Sequence, residues 1–204
     1  MLTILTIIIL IFSVIVHEVS HGLMALRLGD PTARLQGRLT LNPLKHIDPI
    51  GSIVVPIITS LSGFTFGWAK PVIYNPYNLR NRRTGEFLIA LAGPVSNLTI
   101  AVVFSLIMRV YMAGANAALT SPFLQIVSYI VLINLVLALF NLIPVPPLDG
   151  SKLFLSFLPH QYGKLRYTLE RLGPLFLIVV VLVVWQLLSP LVAIVFRILT
   201  GVAI

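Results

Sequence analysis

Long apolar runs, separated by short polar stretches rich in turn residues, set the pattern of this chain. The first, LTILTIIILIFSVIV from Leu2 to Val16, carries no charged residue. A membrane-crossing helix needs about 20 predominantly apolar residues, and Leu2 to about Leu28 supplies them. Phe87 to about Met112, Pro122 to about Leu142 and Pro174 to about Ile198 supply three more spans. Between the first two, DPTARLQGRLTLNPLKHIDP is polar, and the alternation in ARLQGRLTL suits a short strand. The segment that follows is apolar but interrupted by Gly51, Pro56, Gly63 and Gly67. It is short for a crossing, so Ile50–Phe66 is expected to be re-entrant. NPYNLRNRRTGE reads as an interfacial loop, and Ser151–Arg171 as a basic amphipathic stretch. The predicted architecture is an all-α polytopic membrane protein with about four full transmembrane helices. A re-entrant segment and a small membrane-associated β-hairpin or sheet complete it, and residues 1–204 form a single membrane-embedded unit.

Composition agrees with this class: 58% of residues are hydrophobic, 10% are charged, and mean hydropathy is +1.02. The net charge of +8 does not point to nucleic acid, because the basic residues are scattered between apolar runs. With four crossings and both termini outside, the 14 basic residues divide 12 to 2, and only Arg109 and Arg197 lie outside. The positive-inside rule then puts the ends of the first and third spans on the cytoplasmic side. A full crossing by Ile50–Phe66 would move Arg80, Arg82 and Arg83 outside, which favours the re-entrant reading. The first run lacks the positive leader of a cleavable signal and reads as a retained span. The chain has no cysteine, so any metal must be held by nitrogen and oxygen.

The candidate chemistry begins in VHEVSHG, Val16–Gly22, where three ionisable side chains end an apolar run. An isolated charge at that depth costs at least ~2.5 kcal/mol. His17 and His21 are four residues apart, which on a helix leaves them about 40° apart on one face, able to share one metal ion. Glu18 lies about 100° round from His17, near enough to reach an attacking water without displacing a ligand. This is the H-E-x-x-H arrangement of helical zinc proteases. A catalytic zinc wants a third protein ligand and an open position. Asp30 and Asp48 precede prolines and read as turn residues. Glu86 reads as a helix-start charge and Glu170 as a surface pair, while His46 and His160 read as surface histidines in basic loops. Asp149 closes NLIPVPPLDG, where prolines break the third span level with His17 and His21. It is the candidate third ligand, against the alternative of a simple Asp-Gly turn. Asn134, on the same span, reads as helix-helix glue.

HEVSH, AGPVSN and NLIPVPPLDG, in that order on three separate spans, resemble the site-2 protease family of intramembrane zinc metalloproteases. The similarity is to its minimal bacterial and archaeal members without PDZ or CBS domains. The resemblance implies one zinc per chain, held by His17, His21 and Asp149, with Glu18 as the catalytic glutamate. It also implies that Asn97 lies near the active site and that Asn141 helps to hold substrate. The implied substrate is a peptide bond within or near a transmembrane segment of another membrane protein, in a prokaryotic cell membrane, with the active site toward the cytoplasm. RLQGRLTL and FGWAKPV could form a sheet whose edge receives an unwound substrate, or a plain linker hairpin. Two rival readings, an idle scaffold and a metal transporter, fit less well. A scaffold needs no general base, and a transporter would favour inverted repeats and ionisable groups on several spans.

Overall fold

The computed structural model describes residues 2–54, 69–115, 121–157 and 173–202. Its α-helices in chain order are α1 (Leu2–Arg27), α2 (Thr32–Leu35), α3 (Arg82–Ala115), α4 (Pro122–Asn141), α5 (Asp149–Phe157) and α6 (Gly173–Thr200). Three helices, spanning Ile4–Arg27, Arg82–Gly114 and Pro122–Asn141, are long and apolar enough to cross a membrane. Val184–Thr200 within α6 is a further, shorter apolar stretch. Of the expected re-entrant segment, Pro49–Val54 forms a π-helical turn, and the rest lies outside the described residues with His160 and Glu170.

Helix ends follow local chemistry. Ser121 accepts the Leu124 N–H at 3.2 Å, and Pro122 opens α4 without needing a donor. Pro144, Pro146 and Pro147 have no N–H groups with which to continue α4 past Asn141. Helix α3 is the central element, packing against α1, α4, α5 and α6. On one side of the bundle Ala101, Met108, Leu124, Val127, Val131, Leu135 and Phe196 form a buried apolar cluster. Ala25, Leu79 and Ile89 form a second cluster. Ile4, Ile7, Ile8, Leu106, Val110 and Ile194 point outward, an apolar surface suited to lipid. The guanidinium of Arg109 donates to the carbonyls of Ile198 and Leu199, closing the end of α6 onto α3.

The expected β-hairpin is not formed: the described residues contain no strand. In the polar stretch after α1, Asp30 Oδ1 accepts both the N–H and the hydroxyl of Thr32, at 3.2 and 2.6 Å. This starts the helical turn Thr32–Leu35, and Gly37, at φ +64°, closes it with an N–H to the Arg34 carbonyl. The first half of ARLQGRLTL, Ala33–Gly37, is thus wound into a turn and presents no strand to pair. Ala69–Val72, from FGWAKPV, forms neither helix nor strand: the Lys70 N–H donates to the His46 carbonyl at 2.9 Å, and side chains meet other backbone groups where a ladder would. Arg38 donates to the carbonyls of Lys70 and Pro71 at 2.7 and 3.3 Å, and the Val72 N–H donates to Glu18.

His46 departs from expectation as well. It is buried, with its ring nitrogen Nε2 2.9 Å from the Thr40 carbonyl. Asp48 keeps its turn role, accepting the Gly51 N–H at 2.6 Å. Asp30 goes beyond one, since its other contacts are the Asn75 N–H and the Asn78 side-chain amide, each at 2.7 Å. It ties the loop after α1 to the loop before α3. Burial pushes the Asp30 carboxyl up, but the Thr32 hydroxyl, the Asn78 amide and the N–H groups of Asn75 and Thr32 outweigh it, so its pKa is lowered. A lowered folded-state pKa stabilises the fold above the unfolded value of about 3.9 and loses that contribution as pH falls through the folded value. Asp30→Ala is therefore expected to cost about 1–3 kcal/mol at neutral pH. In detergent unfolding experiments, its deficit against wild type should shrink as pH drops below about 4.

Candidate metal centre

Helix α1 carries His17 and His21 on the face turned to α3, both buried. Their rings stand edge to face, with centroids 4.6 Å apart at 84°, and their Nε2 atoms converge to 3.0 Å. Asp149, the first residue of α5, brings Oδ2 to 3.0 Å from each of those nitrogens. Its Oδ1 lies 3.4 Å from the ammonium of Lys152, one turn on.

The hydrogen positions follow from the partners behind the rings. His21 Nδ1 lies 2.6 Å from the Ile89 carbonyl, which can only accept. Nδ1 therefore carries a proton, and in the neutral ring Nε2 presents a lone pair to a metal. His17 Nδ1 lies 2.6 Å from Asn97 Oδ1, also an acceptor, and the same conclusion holds. With both rings neutral, three lone-pair atoms then face one another at 3.0 Å. In a buried site that arrangement is repulsive unless a cation sits among them. Two neutral imidazoles and a carboxylate are a donor set for zinc that leaves a fourth position open. Among the described residues, His17, His21 and Asp149 are the group able to hold a metal ion.

Two glycines make the convergence possible. A Cβ on Gly93 would collide with His21 Nε2 and with Cε1 and Nε2 of His17, so only glycine lets α3 pass this close to the rings. Pro94 follows it inside the helix, giving no N–H to the preceding turn and crowding it. The carbonyl left without its helical N–H is that of Ala90, next to Ile89, whose own carbonyl takes the His21 proton. A Cβ on Gly150 would collide with the carbonyls of Leu142 and Ile143, so the Asp-Gly pair lets α5 start directly against the end of α4.

Glu18 stands outside this group. Its Oε2 accepts the Val72 N–H at 2.8 Å, so the segment held by Arg38 sets the orientation of the carboxylate. Asn97 is completely buried behind His17. Asn141 is apart from the cluster and half-buried, its amide donating to the Leu137 carbonyl at 2.9 Å in its own helix. The sequence reading missed Gly93, Val72 and Lys152. Of these only Lys152 left a local signal, its spacing of three from Asp149 on a helix. Gly93 and Val72 act through contacts between segments far apart in the chain.

Comparison with known proteins agrees with this chemistry. Residues 107–184 match peptidase family M50. The chain is 41% identical over 153 residues to "Putative zinc metalloprotease YwhC" of Bacillus subtilis, a match covering 74% of this chain and 67% of that protein. It is 29% identical over 180 residues to Rip2 of Mycolicibacterium smegmatis, named in the same terms, covering 88% of this chain and 66% of that protein. It is 34% identical over 86 residues to "Zinc metalloprotease MJ0392" of Methanocaldococcus jannaschii, covering 42% of this chain and 24% of that protein. The chain thus matches from about a quarter to two thirds of these relatives' lengths. No solved structure matches it.

Metal analysis of the purified protein should find about one zinc per chain. Asp149→Ala should lose most of it. Gly93→Ala, which removes no ligand, should also weaken zinc binding, because the added methyl displaces both rings. Unchanged zinc in Asp149→Ala would remove that residue from the site.

Proposed function

Since this chain belongs to peptidase family M50, the site-2 protease family of zinc metalloproteases, we propose that it hydrolyses peptide bonds within or beside the transmembrane segments of other membrane proteins. The observation that carries this reading is the convergence of His17, His21 and Asp149 beside Glu18, among helices whose outer faces suit lipid. We assign the zinc to those three residues and the general base to Glu18.

A bound zinc would polarise the scissile carbonyl and acidify the attacking water. Glu18 takes the proton of that water and returns it to the leaving amine. The hydrogen bond from Val72 commits Oε2 and fixes the carboxylate rotamer, so Glu18 works through its other oxygen. Lys152 holds the second oxygen of Asp149 and keeps the first turned toward the histidines. Asn97 supports His17 from behind. Asn141, in the last turn of α4 before the proline run, is assigned to substrate. A substrate helix hides its peptide bonds, so it must unwind locally to be cut, and lipid cannot satisfy the groups this frees.

We place the site toward the cytoplasm of a prokaryotic cell. The support is the 12 to 2 division of basic residues, together with bacterial and archaeal relatives.

Glu18→Gln should keep zinc and fold while losing hydrolysis by at least ~100-fold. The same variant should trap membrane proteins during purification, and wild-type enzyme added afterwards should cut them. Mass spectrometry of the products should locate the cut within or at the edge of a transmembrane helix. A cut confined to distant extramembrane loops rejects the proposal.

The absence of cysteine makes orientation directly testable. Tyr77 is 84% exposed in the loop before α3, and a side chain at Gly114 meets nothing within 4 Å. With an impermeant thiol reagent on intact cells, Gly114→Cys should label and Tyr77→Cys should not. The reverse pattern inverts the assigned orientation.

A further inference from the structure

The proton on His17 Nδ1 depends on which end of the Asn97 amide faces the ring. An asparagine can present either its oxygen or its NH2 group, so something must decide. Two acceptors meet the NH2 end of Asn97, the Ser13 carbonyl on α1 at 3.3 Å and, closer, Asn134 on α4 at 2.8 Å. Asn134 Nδ2 donates to the Ile130 carbonyl at 2.9 Å and to Ser13 Oγ at 2.9 Å. A carbonyl only accepts, so the NH2 end of Asn134 is fixed there and its Oδ1 is turned to Asn97. That oxygen takes Asn97 Nδ2 at 2.8 Å, and the Ser13 carbonyl lies 3.3 Å from the same nitrogen. With its NH2 end committed, Asn97 has only its oxygen to offer His17, at 2.6 Å.

We propose that Asn134 is a positioning residue for the metal centre: anchored on the Ile130 carbonyl and Ser13, it orients Asn97 and so sets the tautomer in which His17 offers Nε2 to the metal. Asn97 and Asn134 are both 0% exposed, so bulk water does not take over either role. Were Asn97 to flip, its NH2 would face Nδ1, and the ring proton would move to Nε2, in the ligand position. Simple helix-helix glue would join the same three helices without any effect on the ring. The inference rests on His17 being a metal ligand.

The experiment compares zinc affinity, by chelator competition, in wild type, Asn134→Leu, Asn97→Asp and the double variant. Asn134→Leu should weaken zinc binding by about 10–100-fold, the usual effect of losing support behind a ligand. Asp at position 97 accepts at both ends and needs no orienting, so adding Asn134→Leu to Asn97→Asp should cause no further loss. A second readout needs no variant: in zinc-free wild type labelled with 15N-histidine, the His17 resonances should report the Nδ1-protonated tautomer. Wild-type zinc affinity in Asn134→Leu, or an Nε2-protonated His17 in wild type, overturns the proposal and leaves Asn134 as glue. A wild type that binds no zinc overturns the metal-centre reading itself, and this inference with it.

Discussion

Two imidazole nitrogens and one carboxylate oxygen, each with a lone pair, face one another at 3.0 Å in a buried site. With both rings neutral they repel, and the low dielectric around them makes that repulsion larger than in water. The fold holds them together by fixing each one from behind. The Ile89 carbonyl takes the proton of His21, Asn97 takes that of His17, and Lys152 faces the far oxygen of Asp149. Opposing charge and hydrogen bonds outside the triangle thus stabilise a cluster that becomes favourable once a cation is shared.

That constraint explains features of the helices that packing by itself would not select. A glycine and a proline in the middle of a membrane helix weaken it, yet Gly93 is the only residue type that lets α3 pass the two rings. The prolines after α4 end its span, and Gly150 lets α5 begin against the carbonyls of Leu142 and Ile143 that follow it, carrying Asp149 inward. Three polar residues on α1, α3 and α4, Ser13, Asn97 and Asn134, cross the apolar interior in one hydrogen-bonded chain. Each breaks the apolar pattern of its helix, and each acquires a reason only when the other two are beside it.

The loops obey the same logic at lower stakes. Asp30 gathers Thr32, Asn75 and Asn78 around one carboxylate and so brings the chain after α1 against the chain before α3. Arg38 then grips Lys70 and Pro71, which delivers the Val72 N–H to Glu18. The path from a turn residue to the proposed base runs through side-chain-to-backbone hydrogen bonds.

Hydrophobic run length and the spacing of H-E-x-x-H were legible in the sequence because both are local. A run of apolar residues sets a helix whatever surrounds it, and a separation of four sets two histidines on one face. Asp149 was legible because the proline run marked a break at the matching depth. The strand reading of ARLQGRLTL failed because alternation shows only that a strand could pair, and Asp30 holds the start of the segment in a helical turn. His46 looked exposed by its neighbours in sequence, and its burial was decided by how the loop folds back on Thr40. Asn134 reads as helix-helix glue and does hydrogen-bond across helices, but a lone asparagine carries no record of which partners it takes. The sequence determined which helices form and which ligands one helix can offer. Which oxygen faces which ring, and where backbone must pass within touching distance of an imidazole, are relations among residues about 40 to 130 positions apart. Only packing brings those residues together, so only the tertiary structure could decide them.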